Sequence, residues 1–170
     1  VLAELGLTRP CGIGPHGEVT PGVGGNIGFT TVSIVGTNFA AGARAHLSRA
    51  GAANIVAASL ETAVADSAHI TARFDLVGAQ LGSWDITVRN PDGRSGTFWG
   101  GFTVDVGDIN LWVDIVGRDP IRAGLPGIFR IPYGNSGNVD AAPCYIFVSM
   151  PQSTTFRILT ADSSVVVAGQ

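Results

Sequence analysis

The sequence predicts an all-β protein built on a β-sandwich. Three observations carry this. Between residues 70 and 104, apolar residues alternate with polar ones in successive runs. That period places one side of each segment in a core and the other in water. Turn signals, above all Asn90-Pro91-Asp92-Gly93, separate the alternating runs. Charged residues are only 14% of the chain and Gly numbers 24 of 170 residues. Both suit sheets joined by tight turns, since globular domains are about a quarter charged.

Residues 1–8 (VLAELGLT) form a short apolar run that suits an edge strand or a helical turn. Residues 9–28 are rich in Gly and Pro and are expected to be loop. They contain Gly12-Ile13-Gly14-Pro15-His16-Gly17, formally a G-x-G-x-x-G. A dinucleotide-binding turn needs a strand before that motif and a helix after it. Pro15 and Pro21 and the lack of helical periodicity exclude that use. Residues 29–39 (FTTVSIVGTNF) alternate, with Val32 and Ile34 on one face. Residues 42–47 continue with Ala43, Ala45 and Leu47 inward and Arg44 and His46 outward. Residues 54–65 are Ala-rich; Val56, Ala58 and Leu60 are expected to share one strand face.

Within 70–104, Ile70, Ala72, Phe74 and Leu76 form one apolar set. Trp84, Ile86 and Val88 form the next, and Phe98, Phe102 and Val104 the last. Trp84 is the expected central aromatic of the core. Residues 105–108 (DVGD) break the pattern and mark a candidate boundary. Beyond it, Leu111, Val113 and Ile115 alternate, with Trp112 on the other face. Residues 128–133, 144–150 and 155–159 are expected strands, and 164–167 a last one. Pro132 confines its segment to an edge or a bulge, because it cannot donate to a ladder. About 65 residues follow the boundary, close to the lower limit for independent folding.

All ten basic residues are Arg, so neither a Lys–Asn cross-link nor a Schiff-base lysine can form. The net charge is −3 with no basic run, which argues against a nucleic-acid surface. No apolar run approaches the roughly eighteen residues of a membrane span. No charged segment leads into an apolar signal-type stretch, so the chain is expected to be a mature product or an excised piece.

Gly28 to Gly42 read GFTTVSIVGTNFAAG, Gly82 to Gly93 read GSWDITVRNPDG, and Phe102-Thr103-Val104 close the unit. In that order these segments resemble the IPT/TIG family of immunoglobulin-like domains over about residues 20–104. Ile121-Arg122-Ala123-Gly124, followed by Tyr133-Gly134-Asn135-Ser136-Gly137-Asn138-Val139-Asp140-Ala141, is similar to bacterial adhesion-type modules of the CARDB or DUF11 kind. The resemblance implies two units. An IPT/TIG-like sandwich would span 1–105. A second immunoglobulin-like β unit, smaller or incomplete, would span 106–170. It further implies a non-catalytic structural or adhesion role on an extracellular bacterial surface or filament-forming protein. The partners would be neighbouring modules or copies of the same protein. The alternative is a carbohydrate-binding module that uses exposed aromatics.

Catalytic constellations are not expected. His16, His46 and His69 have no ligand spacing for a metal site. No G-x-S-x-G elbow exists. Asp75 and Asp85 point outward as solvated carboxylates rather than as a convergent acid pair. Asp105, Asp108, Asp114, Asp119 and Asp140 gather around the boundary, but match no calcium-loop spacing. No cofactor and no metal are expected. Trp99 and Trp112 are the candidate ligand or module contacts, as a sugar-stacking platform or as packing between units. Cys11 and Cys144 are the only cysteines. They either pair in an oxidising compartment, clamping the two units, or stay as two buried thiols. Unpaired sheet edges are expected to accept strands from neighbouring chains, with residues 1–7 and 164–167 as donors.

Overall fold

The computed structural model describes residues 17–58, 63–117 and 127–150. Among them there is no helix, and the expected β-sandwich is present. Nine strands form it: β1 (Glu18–Thr20), β2 (Val23–Gly25), β3 (Phe29–Val35), β4 (Arg44–Ser48), β5 (Ile55–Val56), β6 (Ala63–Asp66), β7 (His69–Asp75), β8 (Gly82–Arg89) and β9 (Ser95–Asp105). One sheet has the order β1-β3-β7-β6, the other β2-β9-β8-β4-β5. All pairings are antiparallel except β2 with β9. With β1 and β2 as two halves of a first strand, this is the immunoglobulin arrangement of strands A, B, E and D facing C, F and G, with β5 added as an edge strand beside C.

The core follows from the alternation. Val32, Ile34, Ile70, Ala72 and Phe74 come from the first sheet; Ala45, Leu47, Trp84, Ile86, Val88, Phe102 and Val104 come from the second. Phe74 and Phe102 meet across the layer at 6.4 Å between ring centroids, tilted by 46°. That separation lies within the range favoured by aromatic pairs. Trp84 is 2% exposed and its Nε1 donates to the Gln80 carbonyl at 2.9 Å. The expected inward positions of β4, β7 and β8 all hold.

The alternation in β9 survives an irregularity. Trp84 pairs with Phe102 and Ile86 with Phe98, so β9 carries two extra residues there. Gly100 takes φ 61°, a conformation open to glycine at little cost. Because two residues are inserted, Phe98 and Phe102 still face the same way. Asn90 is buried beside the turn that follows β8. Its side chain accepts from Ala40 N at 3.1 Å and donates to the Asn38 carbonyl at 2.8 Å.

Three expectations need correction. Residues 17–28 are not all loop: β1 and β2 lie there, separated by Pro21 at the passage from one sheet to the other. Each strand has three residues, too few to register as alternation. In residues 54–65, Val56 and Ala58 are exposed and Ala57 is the buried residue. Val56 pairs with outward-facing His46, so it shares that solvent face. Leu60 lies outside the described residues. The third correction concerns two expected strands: residues 128–133 carry an isolated bridge at Arg130 and enter a ladder only at Tyr133, and residues 144–150 form no ladder and are exposed up to Ser149. Beyond the sandwich, the described regular structure is β10 (Leu111–Val113) paired with β11 (Tyr133–Asn135), plus a bridge between Val116 and Arg130.

Candidate functional site

Two features stand out once the fold is in place: a joint behind the sandwich, and an open face on its larger sheet.

The joint is built by residues 135–140. Asn138 is its hub. Its carbonyl accepts from Gly25 N at 2.8 Å and from Thr30 Oγ1 at 3.2 Å. Its amide donates to Asp108 O at 3.0 Å. Its side chain accepts from Asp108 N at 2.8 Å and donates to Val106 O at 3.0 Å. Val139, only 4% exposed, sits over Gly25 and Gly28. A β-carbon on either glycine would collide with the valine methyls. Asp140 then closes the contact on β3. Its amide donates to Phe29 O at 2.7 Å, and its carboxylate accepts from Thr31 N at 3.1 Å and Thr31 Oγ1 at 2.7 Å. Arg73 of β7 lies 3.5 Å from the same carboxylate, its guanidinium stacked 4.1 Å above the Phe29 ring. Of the boundary expected at residues 105–108, Asp105 ends β9 and residues 106–108 are fastened to the sandwich. Asn26 Oδ1 also accepts from Gly107 N at 3.2 Å. A cleft of about 740 Å³ runs along this joint, lined by Val23, Thr31, Arg73, Asn138 and Asp140 among others.

The open face belongs to β4, β8 and β9. Register sets Arg44 opposite Arg89, His46 opposite Thr87, and Thr87 opposite Thr97. Trp99 continues this face at 77% exposure. Partial burial lowers the pKa of His46 below 6.5, and the positive charge of Arg89 lowers it further. The linkage has a definite sign. As pH falls below 6.5 the unfolded chain takes up this proton before the folded one does, so stability decreases until the folded value is passed. The carboxyls of Asp66 and Asp92 are also lowered, from 3.8, and titrate below this window. Their first causes are the Ala68 amide and the Arg94 side chain, respectively. His46→Gln should therefore make the loss of stability between about pH 7 and pH 5 shallower than in the wild type. Urea midpoints at the two pH values read this directly, and equal slopes in both proteins would contradict it.

The sequence-selected residues are dispersed. Trp99 is on β9, whereas Trp112 is 45% exposed on β10, where its ring covers Gly134 of β11. The two lie on separate sheets. Cys144 is exposed, not buried as a core thiol would be. Cys11, its expected partner, lies outside the described residues, as do His16, Asp119 and both expected donor segments. His69 pairs with Asp66 across a tight turn at 2.9 Å. Several carboxylates serve their own local backbone, Asp75 accepting from Val77 N, Asp105 from Val106 N and Asp114 from Ile115 N, while Asp85 accepts from Gly100 N across on β9. Among the described residues no three His, Cys, Asp or Glu side chains converge as a metal site would need. No helix of the described residues is long and apolar enough to cross a membrane.

Sequence reasoning placed Asp140 among the acids at the boundary but missed Asn138 and Val139 as joint residues. One signal was present: Val139 is a single apolar residue between two polar ones in an otherwise turn-forming stretch. No known family model matches this chain, and no curated protein matches it either.

Proposed function

We propose that the chain is a non-catalytic structural and adhesion module of an extracellular bacterial protein, one that forms part of a cell surface or a filament. The observation that carries this reading is the joint. A spacer must pass orientation from one module to the next, and flexible linkers of a few residues do not. Here the segment after β9 is folded back and hydrogen-bonded to both sheets of the sandwich, through Gly25 on one and Phe29 and Thr31 on the other. The sandwich with its IPT/TIG-like segments is the first module. The CARDB- or DUF11-like segments after residue 105 begin the second.

Module contacts are supported by the apolar surface beyond the joint. Leu111, Trp112, Val113, Ile115, Phe129 and Tyr133 are all exposed. A run of this kind on one small unit marks a surface meant to be covered. Neighbouring modules or further copies of the chain are the expected cover. Strand addition would use the short edges β5 and β6, beyond which no further strand pairs among the described residues. Amide hydrogen exchange across the joint tests the spacer reading: it requires protection there matching that of the sandwich core.

A second reading is favoured by one observation, the 77% exposure of Trp99 on the outer face of the larger sheet. Under it the module binds carbohydrate through that ring.

A further inference from the structure

The outer face of the five-stranded sheet breaks a local rule. Arg44 and Arg89 stand directly opposite each other on β4 and β8. Like charges so placed are destabilising. No carboxylate pairs with either guanidinium among the described residues. Asp92, in the turn after β8, is already held by Arg94, whose Nε donates to it at 2.7 Å. Neighbouring His46 registers the uncompensated charge, since Arg89 helps to lower its pKa. Sites where a fold accepts a cost without visible return are where function is to be sought.

The rest of the face suits a polymer. Past the arginines, Thr87 and Thr97 hydroxyls bond to each other at 2.8 Å. Then comes Trp99, beside the bulge where Asp85 accepts from Gly100 N at 2.7 Å. Ser95 lies opposite Arg89, and the four residues from it to Trp99 span about 14 Å of strand. A cationic end and a bare aromatic ring are thus held apart on one rigid sheet.

We propose that this face binds an acidic polysaccharide, with anionic groups at Arg44 and Arg89 and a sugar ring stacked on Trp99. The proposal rests on the carbohydrate-binding reading and deepens it. Guanidinium groups match carboxylate and sulfate through paired donors. The tryptophan face offers a flat apolar surface to a sugar ring. An acidic peptide would satisfy the arginines but leave the distant ring without a matching flat partner. A nucleic acid would require many more phosphate contacts than two arginines on a chain of net charge −3 can supply.

The test is affinity electrophoresis of the full chain in gels containing polygalacturonate, dextran sulfate, neutral dextran or poly-L-glutamate. Retardation by polygalacturonate or by dextran sulfate is expected, and which of the two acts distinguishes carboxylate from sulfate as the anion. Arg44→Gln/Arg89→Gln should weaken it by about tenfold or more. Trp99→Ala should weaken it by about three- to tenfold. Salt at about 1 M, where screening acts within about 3 Å, should abolish it. The double variant removes a like-charge pair, so its melting temperature should be equal to or above that of the wild type. Failure of both acidic polysaccharides to retard the chain, or retardation indifferent to the double variant, overturns the proposal. Retardation by poly-L-glutamate equal to that by polygalacturonate and unmoved by Trp99→Ala also overturns it, in favour of an acidic protein partner. Binding of neutral dextran that depends on Trp99 and ignores both arginines ends the acidic proposal but leaves the carbohydrate-binding reading standing.

Discussion

Trp84→Ala should destabilise the chain by about 3–5 kcal/mol, the cost of truncating a fully buried large aromatic. The side chain is 2% exposed, and β8, which carries it, lies between β9 and β4 in the larger sheet. Its loss would leave a cavity lined by apolar core residues, which stays dry and collapses only in part. The Gln80 carbonyl would also lose the indole donor that reaches it at 2.9 Å. Domain stabilities are about 5–15 kcal/mol, so the variant should melt far below the wild type or fail to accumulate. Trp84→Phe retains most of the volume and separates packing from the hydrogen bond. It should fall between the two. Urea unfolding of the three proteins measures this, and a Trp84→Ala midpoint equal to the wild type would contradict the core described above.

Gly25→Ala should cost about 1–3 kcal/mol, toward the upper end of that range for overpacking. A β-carbon there would lie 2.5 Å from the Gly107 Cα and collide as well with Asn138 Oδ1 and the Val139 side chain. The Gly107 contact is backbone, so it cannot be relieved by a rotamer change. Relief requires residues 106–108 or 138–139 to move away, which breaks the Gly25–Asn138 hydrogen bond. Gly22→Ala is the matched control. Its added β-carbon would find only Val19 O at 3.6 Å, an ordinary contact. Surface changes of that kind stay within about 0.5 kcal/mol. Equal urea midpoints for the two variants would show that the joint contributes nothing to stability.

The sandwich was legible because its long strands announce themselves. Seven or eight residues at period two, as in β7 and β8, specify both a strand and its buried face. The bulge in β9 did not spoil this, because two inserted residues preserve parity. Short strands gave no such signal: β1 and β2 have one inward apolar residue, Val19, and a proline between them. Ala57 was assigned to the wrong face because alanine is weakly apolar and the flanking Val56 is exposed. The joint was illegible for a different reason. Asn138 and Asp140 contact residues more than a hundred positions away, and their roles depend on main-chain geometry. The arginine pair was half visible. Alternation turned Arg44 and Arg89 outward, but only the register of β4 against β8 sets them opposite each other.

The account depends most on the joint. Amide hydrogen exchange of the full chain at Gly25, Thr31, Asn138 and Asp140 tests it most directly. These amides donate to Asn138 O, Asp140 Oδ1, Asp108 O and Phe29 O, respectively. If sandwich and joint are one cooperative unit, the four should exchange as slowly as amides of β3 and β8, through global opening. In Gly25→Ala they should become fast while β8 stays protected. Exchange of all four in the wild type at rates typical of an exposed loop, with β3 and β8 still slow, would contradict the account: residues 106–108 and 135–140 would then be a flexible tether, not the start of a stiff connection between modules.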